Sequence, residues 1–220
     1  MTDVSSTRVA AQAKRTAFTE RRILDAAETL FSKRGLDGTR VREIAEAAGV
    51  NGATLYNYYP SKRALYEAVM DRGMRPLIAF LAEFSGGPRN PESIRALVKS
   101  VMAHLTRHPR LSRLVYLEAI AEGDYLQELA RRWFSPLLGQ IMDELEAGPA
   151  LEPLAENFSP VVAALFVHLS FGHFALAPLL HELFQGDPLS AEGVAKQTRF
   201  IETLISRMFP RLADSPLRPG

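Results

Sequence analysis

The sequence predicts an all-α protein, and three observations carry that prediction. Apolar residues recur at spacings of three and four along most of the chain. No segment of useful length alternates with the period of a strand. Glycine, proline and small polar residues fall where the apolar stripes begin and end. With 220 residues, 47% of them hydrophobic, the chain can bury a sizeable core in one or two domains. Roughly nine helices are expected, in an N-terminal group of three joined to a larger C-terminal bundle.

Residues 1–18 are rich in Ser, Thr and Ala and show no sustained periodicity, so they are expected to form a flexible arm. A first helix opens at Thr19, because Ile23, Ala26, Ala27, Leu30 and Phe31 lie on one stripe that Gly35 closes. Val41, Ile44, Ala45 and Ala48 make a short second helix capped by Thr39. Leu55 and Tyr59, four apart, give the third its inward face behind an Asn51 cap. Between them Gly49 supplies a left-handed helix end. Pro60 stops the third helix and Ser61 caps a fourth, with Leu65, Tyr66, Val69 and Met70 inward, which runs through a bend at Gly73 to Pro76 as far as Phe84.

Residues 85–90 read as a loop. A helix striped by Ile94, Leu97, Val98, Val101, Met102 and Leu105 follows, ended by His108-Pro109, and then a short one from Leu111 to Ile120. Asp124 is expected to cap a long helix with Leu129, Trp133, Leu137, Leu138, Ile141 and Leu145, which Gly148-Pro149 ends. Residues 159–184 are apolar on nearly every side, and a soluble helix of that kind must be covered on every side, either by its own bundle or by another chain. Residues 190–209 form a last amphipathic helix through Val194, Ile201, Leu204, Ile205 and Met208. The expected domains are the arm 1–18, a three-helix domain 19–66, a helical domain 67–212 and a tail 213–220.

The helix pair within residues 39–62 carries the functional signal. With Leu55 and Tyr59 inward, Ala53, Thr54, Asn57 and Tyr58 point out, a small, polar and aromatic face suited to base edges in a DNA major groove. Lys62, at the start of the fourth helix, is placed for a phosphate. Helix, glycine turn, helix is also an ordinary pairing inside helical bundles, so geometry alone leaves both readings open.

The residue pattern resembles the helix-turn-helix of the TetR family of bacterial transcriptional repressors. The matching residues are Thr39, Ile44-Ala45, Ala48-Gly49-Val50, Thr54-Leu55-Tyr56, Tyr58-Tyr59 and Ser61-Lys62, and residues 19–36 are similar to that family's first helix. The resemblance implies a homodimer that binds a double-stranded operator, while the lack of cysteine fits the cytoplasm and the lack of catalytic motifs a non-enzymatic protein. It implies base or backbone contacts from Thr39, Arg40, Arg42, Asn51, Gly52, Ala53, Thr54, Tyr56, Asn57, Tyr58 and Lys62. It further implies dimerisation through residues 159–209 and a small-molecule effector in the C-terminal domain. One departure stands out: many members carry a long polar residue where this chain has Gly52, so direct readout leans on Arg42 and Asn57.

Charge distribution agrees with a DNA-binding end. Through Arg75 there are 13 Lys and Arg against 9 Asp and Glu, a net of +4, and the remainder has 13 against 16, a net of −3. The arm contributes Arg8, Lys14 and Arg15 and is either a disordered tail or a segment that reaches the DNA backbone or minor groove. The absence of cysteine excludes disulfide, thiolate-metal and thiol-nucleophile chemistry. The polar N-terminus and the His168, His173 and Pro178 interruptions predict neither a signal peptide nor a membrane span.

His104 and His108 have the spacing of two metal ligands but lack an HExxH setting or a convergent carboxylate, so no metal or other cofactor is expected. No nucleophile elbow, phosphate loop or paired acids support catalysis. His104, Tyr116, Glu118, Trp133, His168 and His173, embedded in apolar helices, are candidates to line a ligand cavity, each with the alternative of a satisfied core or surface residue. The reading is a ligand-responsive repressor. Its rival is a helical small-molecule or partner-binding protein that does not regulate DNA.

Overall fold

The computed structural model describes residues 3–85, 91–123, 125–135 and 152–208, with helices as the regular structure among them. Two compact units meet between Arg72 and Gly73, inside the fourth helix, where the sequence reading set the junction at residues 66 and 67.

The first unit contains α1 (Asp3–Arg34), α2 (Val41–Ala48), α3 (Gly52–Tyr58) and the start of α4 (Lys62–Ser85). Ile23, Phe31, Ile44, Leu55, Leu65 and Tyr66 are fully buried, and the Phe31 and Tyr66 rings meet edge to face at 5.0 Å. Each such side chain contributes about 1.5–3 kcal/mol relative to exposure, so this small domain stands on a handful of residues. Arg72 ties α4 back to α1 through Asp25 at 2.6 Å and through Glu28.

Two expectations are corrected here. α1 does not begin at Thr19; it begins at Asp3, and Thr19 lies inside it with its hydroxyl donating to the Arg15 carbonyl at 3.0 Å. Residues 3–18 contain no glycine or proline and several Ala, Gln, Lys and Arg, so propensity favours a helix although no apolar stripe marks one. Thr39 is not the cap of α2. The capping position is Arg40, whose N–H donates to the Glu43 carboxylate at 3.1 Å, while the Thr39 hydroxyl is buried and donates to the Gly35 carbonyl at 2.9 Å.

The second unit holds the rest of α4, then α5 (Pro91–Arg107), α6 (Pro109–Ala121) and α7, an α-turn at Leu126–Leu129 that widens into a π-turn at Ala130–Phe134. α8 (Glu152–Ala175), α9 (Ala177–Phe184) and α10 (Ala191–Met208) complete it, making ten helices among the described residues. α8 packs on α6 and α5, and α10 packs on α5. Gly172 lies where α8 approaches α6, and a Cβ there would stand 3.0 Å from the Tyr116 hydroxyl.

α4 continues through Pro76 as expected. The apolar run 159–184 is not one helix, because it breaks at Leu176 ahead of Pro178, whose ring cannot continue the ladder, and the two arms bend by 72°. Nor does this chain cover that run on every side: Phe171, Phe174 and Ala177 are buried, but Leu165, Leu176, Leu179, Leu183 and Phe184 are exposed, as is Phe200 on α10. Among the described residues no single helix is long and apolar enough to cross a membrane. The expected Asp124 cap, the stripe from Leu137 to Leu145, the Gly148-Pro149 stop, the loop at 86–90 and the tail 213–220 lie outside the described residues.

Candidate nucleic-acid interface

The turn between α2 and α3 is built by backbone geometry that only certain residues allow. Gly49 sits at φ 62°, its N–H donates to the Glu46 carbonyl at 3.0 Å, and the Val50 N–H reaches the Ala45 carbonyl at 3.0 Å, which together close the end of α2. The left-handed φ is what calls for glycine, and the end of the Arg22 side chain of α1 lies against the face where a Cβ would stand. Asn51 then starts α3 by accepting from the Thr54 N–H at 2.7 Å. Leu55 and Tyr59 pin the inner face as expected. The Tyr59 hydroxyl donates to Glu20 at 3.3 Å, and burial, reinforced by the Glu20 carboxylate, raises the phenol far above its usual range, so it stays a donor.

This pinning leaves Gly52, Ala53, Tyr56 and Asn57 exposed and Thr54 and Tyr58 half-buried along the outer side of α3. A Cβ at Gly52 would meet open space. The Tyr58 hydroxyl touches the Thr16 carbonyl of α1 at 3.5 Å. On α2 the Arg42 side chain is 84% exposed and pairs across one turn with Glu46 at 3.6 Å. Arg40 is exposed. Glu43 is held as a carboxylate, its titration lowered by the Arg40 N–H and then by Arg34, which pairs with it at 2.9 Å.

Lys62 is half-buried and its ammonium donates to the Thr39 carbonyl at 3.3 Å, while Ser61 caps α4 by accepting from the Ala64 N–H at 3.0 Å. The structure thus gathers Arg40, Arg42, Asn51, Gly52, Ala53, Thr54, Tyr56, Asn57 and Tyr58 on two adjacent short helices. The Thr39 hydroxyl is committed to the fold. Sequence reasoning missed Arg22, Glu20 and Arg34, which hold the pair in place. Their partners are 9 to 39 residues away, beyond any local pattern.

The six candidate pocket residues of the second unit separate into distinct pairs. His104 is buried, donates or accepts through Nε2 at the Gly73 carbonyl (2.8 Å), and has its ring 4.7 Å from that of His108; burial lowers its titration. Tyr116 bonds His168 at 2.9 Å, its phenol raised by burial. Glu118 is buried and accepts from the Tyr125 N–H at 2.8 Å, closing the end of α6. His173 bonds the Pro188 carbonyl at 2.8 Å and is lowered by burial. Trp133 is buried beneath the Arg132 guanidinium at 5.0 Å. Glu118, His104 and His173 therefore each have a structural partner.

Comparison with known proteins agrees with this geometry. Residues 23–69 match the model described as bacterial regulatory proteins, tetR family, and residues 91–205, just over half of the chain, match the tetracyclin repressor-like C-terminal domain. The HTH-type transcriptional regulator RutR of Escherichia coli (strain K12) is 39% identical over 111 residues, 48% of this chain and 50% of that protein. The HTH-type transcriptional repressor SCO4008 of Streptomyces coelicolor is 30% identical over 105 residues, 48% of this chain and 52% of that one, so the match spans about half the length of each relative. Two solved structures share the fold. A TetR-like transcriptional regulator from Rhodococcus sp. RHA1 has a TM-score of 0.63 at 21% identity, covering 87% of this chain and 96% of that one. The ketosteroid transcriptional regulator KstR2 of Mycobacterium tuberculosis has a TM-score of 0.64 at 17% identity, covering 86% and 93%. The C-terminal match over more than half of the chain, joined to the helix-turn-helix match at residues 23–69, shows that this protein belongs to the TetR family of bacterial transcriptional regulators, a non-enzymatic family.

Proposed function

We propose that this regulator is a homodimeric repressor that grips a palindromic operator in the cytoplasm and releases it when a small apolar or aromatic molecule binds the C-terminal unit. The observation that carries the DNA side is the outer face of α3, where Asn57 and the small residues Gly52 and Ala53 stand exposed beside the accessible Arg42 guanidinium of α2. Arg42 has the reach for a bidentate contact to guanine and Asn57 for one to adenine, whereas Lys62 offers a point charge to phosphate.

Exposed apolar side chains on α8, α9 and α10 support the dimer. Leu165, Leu176 and Phe200 occupy the stretch expected to self-associate, and a two-fold axis covers such a patch with its own copy. Two reading helices then sit about one DNA turn apart, or a multiple of it. α4 begins in the DNA-binding unit and ends in the second, so an effector that prefers the DNA-incompetent spacing lowers operator affinity by biasing it. Coupling of about 1–3 kcal/mol, 5- to 150-fold, is typical of such linkage.

The test is an electrophoretic mobility assay against the DNA flanking its own gene, with sedimentation of the free protein. Specific retardation by a dimer supports the reading. A monomer at micromolar concentration, or retardation no better than for unrelated DNA, refutes it. Reciprocity checks the effector: operator must weaken its binding by the factor by which it weakens operator binding.

A further inference from the structure

α1 is longer than its packing requires. Its buried residues Ile23, Ala27 and Phe31 lie in the C-terminal half, while every side chain from Arg8 to Phe18 is exposed. Two contacts fix how the bare half runs beside α3. Arg22 lies against Gly49, in the turn that precedes α3, and the Thr16 carbonyl touches the Tyr58 hydroxyl, at the end of α3. From Arg22 back to Thr16 α1 covers about 9 Å, and from Gly52 to Tyr58 α3 covers about the same, so these two side-chain contacts set the stretches in opposite senses. The remainder of α1, from Thr16 back to Asp3, therefore continues about 20 Å past the C-terminal end of α3.

That projecting half is basic. Arg8, Arg15 and Arg22 are seven apart and share one stripe, Lys14 flanks it, and no acid interrupts between Asp3 and Glu20. Arg8, Lys14 and Arg15 take no part in the ion pairs found among the described residues. A helix seated in a major groove roughly 12 Å wide is flanked on both sides by the phosphate strands that bound it. A basic helix that reaches about 20 Å further is long enough to meet one of those strands.

We propose that the N-terminal half of α1 is a second contact to duplex DNA, with Lys14 and Arg15 on the phosphates that bound the groove entered by α3 and Arg8 at the flanking minor groove. The inference rests on α3 being the major-groove helix. It assigns to this half affinity and footprint length rather than base choice in the operator core.

The experiment uses the full chain and fluorescence anisotropy on operator duplexes with long or trimmed flanks, over a salt series. Arg8→Gln, Lys14→Gln and Arg15→Gln are exposed substitutions between helix formers, and circular dichroism checks that helix content is kept. Each lost phosphate contact should lower the slope of log affinity against log salt by about 0.9, hence about 1.8 over a dimer. Between 50 and 200 mM salt, a slope change of that size alters the affinity ratio to wild type about tenfold. Wild type should lose affinity when flanks are trimmed and Arg8→Gln should not, while core sequence preference stays constant. A triple variant with the salt slope and flank dependence of wild type, on an operator still bound specifically, overturns the proposal. A wild type without operator preference, or one whose preference survives Asn57→Ala, overturns the reading of α3 itself. Slopes that stay constant while the variants lose solution dimerisation assign the exposed half to protein contact instead and overturn the proposal.

Discussion

Arg42→Ala separates reading from folding, because the structure gives this side chain almost nothing to do in the free protein. It is 84% exposed, and its pairing with Glu46 at 3.6 Å is an i,i+4 surface contact. Such a pair contributes about 0.3–0.5 kcal/mol, so the thermal midpoint should hold within a degree or two. On DNA the loss should be far larger. A bidentate contact to guanine carries about 1–3 kcal/mol of discrimination, which over two half-sites amounts to about 2–6 kcal/mol, or from about thirtyfold to more than ten-thousandfold in affinity.

The assay is a titration of operator and of single-base operator variants, by anisotropy at fixed salt. Wild type should distinguish the base pair facing Arg42, and Arg42→Ala should bind both versions alike while keeping its salt slope. Lys62→Ala should do the reverse, weakening all sequences similarly and flattening the salt dependence. If Arg42→Ala keeps full sequence preference, the reading face is assigned to the wrong residues.

Three further outcomes are expected. Gly49→Ala forces a left-handed backbone on a residue with a Cβ, at about 1–2 kcal/mol, and displaces Arg22, so thermal unfolding should come measurably earlier; an unchanged midpoint contradicts the turn geometry. Leu176→Glu places a charge on an exposed apolar position and should yield monomers or aggregates in sedimentation with operator binding lost; a stable dimer that still binds operator refutes the assigned interface. His104 and His173 are both lowered from 6.5 by burial, so the unfolded chain takes up their protons first. Their contribution is complete above about pH 6.5 and is lost as pH falls from there toward the lower folded-state values. Thermal midpoints should therefore drop on acidification below pH 6.5, less steeply in His104→Asn and His173→Asn variants; equal pH profiles contradict the assignment.

The elements legible in the sequence are those whose determinants are local. Gly49, Asn51 and Ser61 each act on backbone within a few residues of themselves, and Leu55 and Tyr59 mark an inner face by spacing alone. The first half of α1 carries no stripe because its side chains from Arg8 to Phe18 are exposed, so only propensity marks it. Thr39 was misread because a threonine before an apolar run has the pattern of a cap, whereas its hydroxyl is taken by Gly35 and Leu30 in the preceding helix end.

Pro178 was visible, yet the apolar composition on both sides hid the break it imposes. The polar residues of the C-terminal unit were legible as unusual but not as partners. Tyr116 finds His168 52 residues on, and His104 finds Gly73 31 residues back. The Arg72 bridge to Asp25 and Glu28 spans similar distances.

Selection of binding sites from random duplex DNA by the full-length protein tests the central claim most directly. A symmetric dimer reading two major grooves predicts one enriched palindrome, its half-sites about one helical turn apart or a multiple of it. It also predicts a guanine in each half-site whose enrichment disappears when Arg42→Ala is used for the selection. Recovery of no motif, or of a single half-site without its mirror image, would contradict the account.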